Sequence, residues 1–300
     1  MRTSSPRAPS GISDRSASTH RAEAGGRRPP VFFWALLALC GLLSACMGSP
    51  VARRSSALEL AQSSGWQAAT LHSGRFDLLA LHPAPRPVEE IAVFIEGDGL
   101  AWLDVNTPSP DPTPLSPVAL WMALSEPRRM AVYLGRPCQY VAERLANQCR
   151  REDWTSARFS AEIVAAMNQA IDELKHRFRA NKLRLVGYSG GGAIAALVAA
   201  GRDDVAQLVT VAAVLDHPGW TRSLGLTPLA GSLNPADAWN SLRNTPQVHL
   251  TGGKDKVAGK SALVGYLERF PANRRPPVIE IGDFSHQCCW GKAWREISPL

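Results

Sequence analysis

The sequence predicts an α/β protein, with a mostly parallel central sheet covered by helices on both faces. Three observations carry that prediction. Short continuous apolar runs, such as Ile91–Ile95 and Met130–Leu134, recur along the chain. Segments with a helical apolar period alternate with them, and Gly- and Pro-rich turns separate the two kinds. Strands apolar throughout must be buried on both faces, and the alternation with helices supplies the covering layers. With 45% hydrophobic and 20% charged residues, the 300-residue chain is neither collagen-like nor wholly disordered.

Residues 47–64 read as a tether. Trp66–Leu71 and Phe76–His82 form an opening hairpin through Ser73-Gly74. Ile91–Ile95 is a buried-type strand that ends in Glu96-Gly97-Asp98-Gly99, and a Pro-rich loop leads to a short helix over Val118–Leu124. Met130–Leu134 is the next strand. Thr155 or Ser156 is placed to cap a long helix carrying Phe159, Ile163, Met167, Ile171 and Leu174 on one face. A strand over Leu183–Val186 feeds a Gly/Ala-rich helix, Gly190–Ala200. Leu208–Ala212 is a strand that runs on to Leu215, and 216–244 is looser, with Pro218, Gly219, Pro228, Gly231 and Pro235. Val248–Leu250 and Val278–Ile281 complete the sheet. No internal repeat appears.

The first 45 residues read as an export signal. Residues 1–30 are rich in Arg, Ser, Gly and Pro, and Arg27-Arg28 precede the apolar run Val31–Leu43. That run is too short for a hydrocarbon core that needs about 20 residues, and a basic flank before a short apolar stretch is a signal-peptide layout. Leu43-Ser44-Ala45-Cys46 resembles the bacterial lipobox, in which the cysteine becomes the lipidated first residue. An uncut membrane anchor is the alternative. The division expected is therefore signal 1–45, tether 46–65 and one domain over 66–300, held by lipid at the cell envelope, facing the periplasm. Six arginines against two acidic residues give the first 45 residues a net charge of +4, leaving +3 for the remainder. So slight an excess gives no reason to expect a nucleic-acid partner. Export would also favour disulfides. Cys138 with Cys149 closes a short loop and is the preferred bridge, whereas Cys288 and Cys289 are either a vicinal disulfide or free thiols. No metal-ligand spacing accompanies them, so no metal is expected.

Gly187-Tyr188-Ser189-Gly190-Gly191 is the one GxSxG in the chain, and it stands where a buried strand passes into a helix. That context suits a serine held on a strained turn at a helix N-terminus, where orphan N–H groups favour developing negative charge. On these residues the chain, from about 66 to 300, resembles the α/β-hydrolase superfamily. The resemblance implies a triad in the order nucleophile, acid, base, each in a loop after a strand: Ser189, then Asp255 after Thr251-Gly252-Gly253-Lys254, then His286 after Asp283-Phe284-Ser285. Asp216 is a rival acid and His217 a rival base. The resemblance further implies an oxyanion hole of Gly190 N–H with Asp98 or Gly99 N–H, where Glu96-Gly97-Asp98-Gly99 replaces the family's His-Gly pattern. An acidic residue there must point away or pair with an arginine. It also implies a short lid, placed here at about 216–244, with Trp102 and Trp290 as candidate pocket walls. Gly190-Gly191-Gly192-Ala193-Ile194-Ala195 matches a dinucleotide fingerprint but lies late in the chain, and Gly253–Ser261 has one residue too many for a phosphate loop. No cofactor is expected. The reading is a monomeric, lipid-anchored serine hydrolase acting on a small-molecule acyl ester or related acyl bond. A non-catalytic envelope lipoprotein using the same fold as a binding module is the alternative.

Overall fold

In the computed structural model, residues 48–141 and 148–298 are described. The apolar run Val31–Leu43 and Cys46 lie outside them. Eight strands form one sheet in the order β1-β2-β4-β3-β5-β6-β7-β8. They are β1 (Gln67–Ser73), β2 (Phe76–His82), β3 (Glu90–Ile95), β4 (Met130–Leu134), β5 (Lys182–Tyr188), β6 (Val205–Val211), β7 (Gln247–Gly252) and β8 (Val278–Ile281). The β1–β2 hairpin is antiparallel, β2 pairs antiparallel with β4, and all later pairings are parallel. Every parallel crossover returns the chain to the same edge, so the loops after β3, β5, β7 and β8 gather at one end of the sheet.

Side chains alternate between two cores, as the pleat requires. Ile91, Val93 and Ile95 face one layer, in which α3 (Ala161–Arg177) and α4 (Gly190–Ala199) bury their apolar faces. Ala92 and Phe94 face the other, covered by α1 (Pro50–Ser63), α2 (Val118–Leu124) and the C-terminal helix Trp290–Ile297. Helices on both faces of a mostly parallel sheet are thus observed.

Three local expectations are corrected. The stretch read as a tether is helical from Pro50 to Ser63 and belongs to the fold. Its buried residues are Arg53, Ala57 and Ala61, too small or too polar to give an amphipathic signal, and Ser49 caps it by accepting from Ala52 N–H. The long helix is capped by Ser160, not Thr155 or Ser156. A 3₁₀ turn occupies Arg151–Trp154, and Thr155 Oγ1 donates to Arg151 O. Finally, β6 stops at Val211 because Ala212 turns to φ +49°, although Ala212–Leu215 are buried and apolar. The stretch 216–244 contains α5 (His217–Leu224), a 3₁₀ turn (Pro235–Ala238) and α6 (Trp239–Leu242).

Cys138 and Cys149 are disulfide-bonded with Cα atoms 5.8 Å apart, and Cys288 is bonded to Cys289. Replacing both Cys138 and Cys149 with serine is expected to cost about 3 kcal/mol, the loop-closure entropy for a bridge of this span. Urea denaturation of oxidised protein measures it, and a cost below about 1 kcal/mol would mean that packing alone orders the loop.

Candidate active site

The site is built on the end of β5. Ser189 has φ 52° and ψ −123°, a strained conformation for a residue with a side chain, and its N–H donates to Val211 O at 2.8 Å. The turn fits only because its flanking positions are glycine. A Cβ on Gly187 would collide with Gly191 O, and one on Gly191 with the carbonyls of Ile95 and Glu96. Ser189 therefore projects beside the N-terminus of the ten-residue helix α4.

Two other carboxyl-edge loops bring their side chains to it. His286 Nε2 lies 3.0 Å from Ser189 Oγ, and His286 Nδ1 lies 2.9 Å from Asp255 Oδ2. The Asp255 carboxylate has no exposed surface. Its other oxygen accepts from the N–H groups of Val257 and Ala258 at 2.7 and 2.8 Å. Burial pushes this carboxyl up, but the His286 and backbone hydrogen bonds outweigh it and hold the pKa below the ordinary value. His286 is fixed from behind as well: Tyr188 Oη donates to its carbonyl at 2.9 Å, and Trp290 Nε1 donates to the same carbonyl at 3.0 Å.

The rivals are elsewhere. Asp216 stands at the start of α5, accepting from Asn234 Nδ2, and His217 is buried against the Phe159 ring. Burial lowers the His217 pKa. Trp290 is fully buried and supports the His286 loop; it does not line the cavity, so that expectation is corrected. Trp102 does line it.

The β3 loop covers the serine from the other side. A Cβ on Gly97 would come within 3.2 Å of Ser189 Cβ, and the Asp98 carboxylate sits directly against Gly190 Cα. Gly99 takes φ +65° to pass Pro112 O. The Asp98 side chain is held by two arginines: Arg136 Nη1 at 3.2 Å from Oδ1 and Arg158 Nη1 at 2.6 Å from Oδ2. Burial pushes the Asp98 carboxyl up, but the charges of Arg158 and Arg136 prevail and lower its pKa. The pairing required of an acid in this loop is therefore met, by two arginines that no local sequence pattern marks. Arg136 Nη2 further donates to Arg158 O, and Gln139 Nε2 to Gly97 O at 2.8 Å, so β4's following loop clamps the whole turn.

Glu96 is the second acid of this loop, and it is treated differently. It is buried without a cation, accepting from Gly97 N–H at 2.9 Å and standing 3.2 Å from Tyr133 Oη. Burial pushes its pKa up to about 7, against those hydrogen bonds. The native carboxyl thus binds a proton more tightly than the unfolded one, and stability falls as pH rises from about 4.5 through about 7. Glu96→Gln, which keeps the acceptor for Gly97, is expected to gain about 3 kcal/mol at pH 8 and nothing at pH 4. Parallel urea-stability profiles for the two proteins across that range would refute the assignment.

A cavity of about 330 Å³ opens beside Ser189, walled by Trp102, Leu115, Phe159, Val214, Trp220 and Leu229, with Arg158 and Gly190 also in its lining. Trp220 and Leu229 come from the 216–244 stretch, and Trp220 Nε1 donates to Val257 O at 2.7 Å. The volume is at the lower end for small-molecule clefts.

No protein-family model and no curated protein matches the chain. Solved structures do match in shape. An α/β serine hydrolase homologue from Coxiella burnetii is 15% identical, with a TM-score of 0.51 over 77% of this chain and 93% of that one. Est1E from Butyrivibrio proteoclasticus is 13% identical, with a TM-score of 0.52 over 76% of this chain and 96% of that one. An esterase from Pyrococcus furiosus is 11% identical, with a TM-score of 0.51 over 77% and 88%. At such identities the likeness establishes architecture, and with the strand order and the turn at Ser189 it shows that the chain has the α/β-hydrolase fold.

Proposed function

We propose that the protein is a serine hydrolase that cleaves an ester or related acyl bond through an acyl-enzyme on Ser189. The observation that carries this reading is the chain of two hydrogen bonds, Asp255 to His286 to Ser189, assembled from three separate loops at the strand ends. His286 Nε2 takes the proton from Ser189 Oγ as it attacks the acyl carbonyl. The buried Asp255 carboxylate fixes the Nδ1–H tautomer and stabilises the imidazolium. The protonated imidazole then delivers its proton to the leaving alcohol. A water molecule repeats the sequence to release the acid. Gly190 N–H, with Asp98 N–H beside it, receives the tetrahedral oxyanion. The clamp of Arg136 and Arg158 cancels the Asp98 charge, which would otherwise oppose it. The stretch 216–244 forms one wall of the acyl pocket and serves as a short, fixed cover. Cys46 carries the lipid that holds the enzyme at the envelope membrane.

Release of nitrophenol from acyl esters of graded length tests the reading. Turnover should be highest for short acyl groups and fall as the chain outgrows the cavity. A folded protein that turns over none of the series would support the non-catalytic binding module instead.

A further inference from the structure

We propose that the mouth of this site rests on a phospholipid bilayer, so that the esters it takes belong to amphiphiles resident in the membrane. The inference rests on the hydrolase and lipid-anchor readings above, and it adds an orientation that neither contains. Four large apolar side chains stand exposed on the loops that form the cavity wall or continue from it: Val105 at 79% exposure, Leu115 at 63%, Leu103 at 57% and Val257 at 48%. Leu115 and Val257 line the cavity, and the 102–107 turn that carries Leu103 and Val105 adjoins the pocket residue Trp102. Apolar side chains clustered at the rim of a cleft mark a surface that meets something apolar.

What meets it is indicated by the start of α1. Arg53 Nη1 donates to Thr113 O, and Arg53 Nη2 lies 3.6 Å from Asp111 Oδ1. The first turn of α1 is thereby pinned to the loop that continues into Pro114 and Leu115 at the mouth. Pro50 and Val51 border one groove with Pro110 and Pro112. Cys46 precedes the cap Ser49 by three residues, a span of at most about 11 Å even when fully extended. A lipid on Cys46 would therefore hold the bilayer at the end of the molecule where the cavity opens. The lipid would supply attachment, and the apolar rim would set which face of the molecule meets the membrane. Exposed Lys256 and Lys260 flank Val257, and Arg222 lies on the helix of Trp220, a distribution suited to anionic headgroups. The one acid in the 102–107 turn, Asp104, is occupied by the N–H groups of Asn106 and Thr107.

Orientation can be read without catalysis. The full lipidated chain is reconstituted on vesicles of phosphatidylethanolamine and phosphatidylglycerol whose acyl chains are brominated. The added tryptophan of Val105→Trp should be quenched. That of Asn181→Trp, at the opposite end of β5, should not. No quenching of the first, or equal quenching of both, overturns the proposal. The kinetic arm compares one acetyl ester on a water-soluble coumarin with the same ester on a coumarin anchored in the vesicle. Leu103→Ser with Val105→Ser should lose about tenfold on the anchored ester and less than about twofold on the soluble one. Equal losses on both, or none on either, contradict it. Wild-type protein inert toward both esters would defeat the hydrolase reading alone, because the quenching result still decides the orientation.

Discussion

Ser189→Ala is expected to lower kcat on a nitrophenyl ester by about 10⁵-fold while the protein stays folded, with stability changed by less than about 1 kcal/mol. In the proposed reaction the hydroxyl is the atom that forms the acyl bond, and among the described residues no other hydroxyl is hydrogen-bonded to His286 Nε2 to replace it. The small stability change follows from what Ser189 does in the fold. Its strained φ is set by the backbone bond from its N–H to Val211 O and by the glycines around it, and alanine keeps all of these. Residual activity near the wild-type level would show that the hydrolysis belongs to another group.

The second large effect is structural. Asp98→Ala removes the one carboxylate between two nearly buried guanidinium groups, leaving Arg136 and Arg158 unpaired and facing each other. Breaking such a pair from one side costs about 3–5 kcal/mol, and the lower figure is expected because the Asp98 side chain retains 21% exposure. In protein kept folded at low temperature, kcat should fall about tenfold with KM little changed, since the clamp fixes the backbone to which the proposed reaction assigns the oxyanion hole. Asp98→Ala combined with Arg158→Met should recover part of the stability and little of the rate. Denaturation and steady-state kinetics on the three proteins separate the two effects. If the single variant is as stable as wild type, the ion cluster does not anchor the loop.

Much of this was legible in the sequence because a doubly buried strand has few disguises. Met130–Leu134 and Phe76–His82 have the bounds their apolar runs suggest, and so does the exposed edge strand Val278–Ile281, whose run is set off by turns on both sides. Where the apolar signal and the backbone part company, the sequence misleads. Ala212–Leu215 are as apolar as β6 itself, but they leave the sheet at a positive-φ residue. Helix α1 is hidden for the opposite reason, because its fully buried residues are two alanines and an arginine, with Leu58 and Leu60 only partly buried beside them. In the site, Ser189, Asp255 and His286 could be placed by asking which loop follows which strand, since parallel crossovers bring those loops to one edge. The partners of Asp98 could not. Arg136 and Arg158 lie 38 and 60 residues from it, and nothing local distinguishes them from solvated arginines. Trp290 misleads for a third reason, because an aromatic residue beside the His286 loop reads alike whether it lines a pocket or supports the loop from below.

Covalent labelling by a fluorophosphonate, read by mass spectrometry of the intact protein and of the Ser189 peptide, tests directly whether this hydroxyl is the activated nucleophile. Wild-type protein is expected to gain one phosphonyl group on Ser189, and His286→Ala to label at least a hundredfold more slowly, roughly the scale of lost general-base catalysis. Label at another residue, or equal labelling rates in the two proteins, would contradict the account.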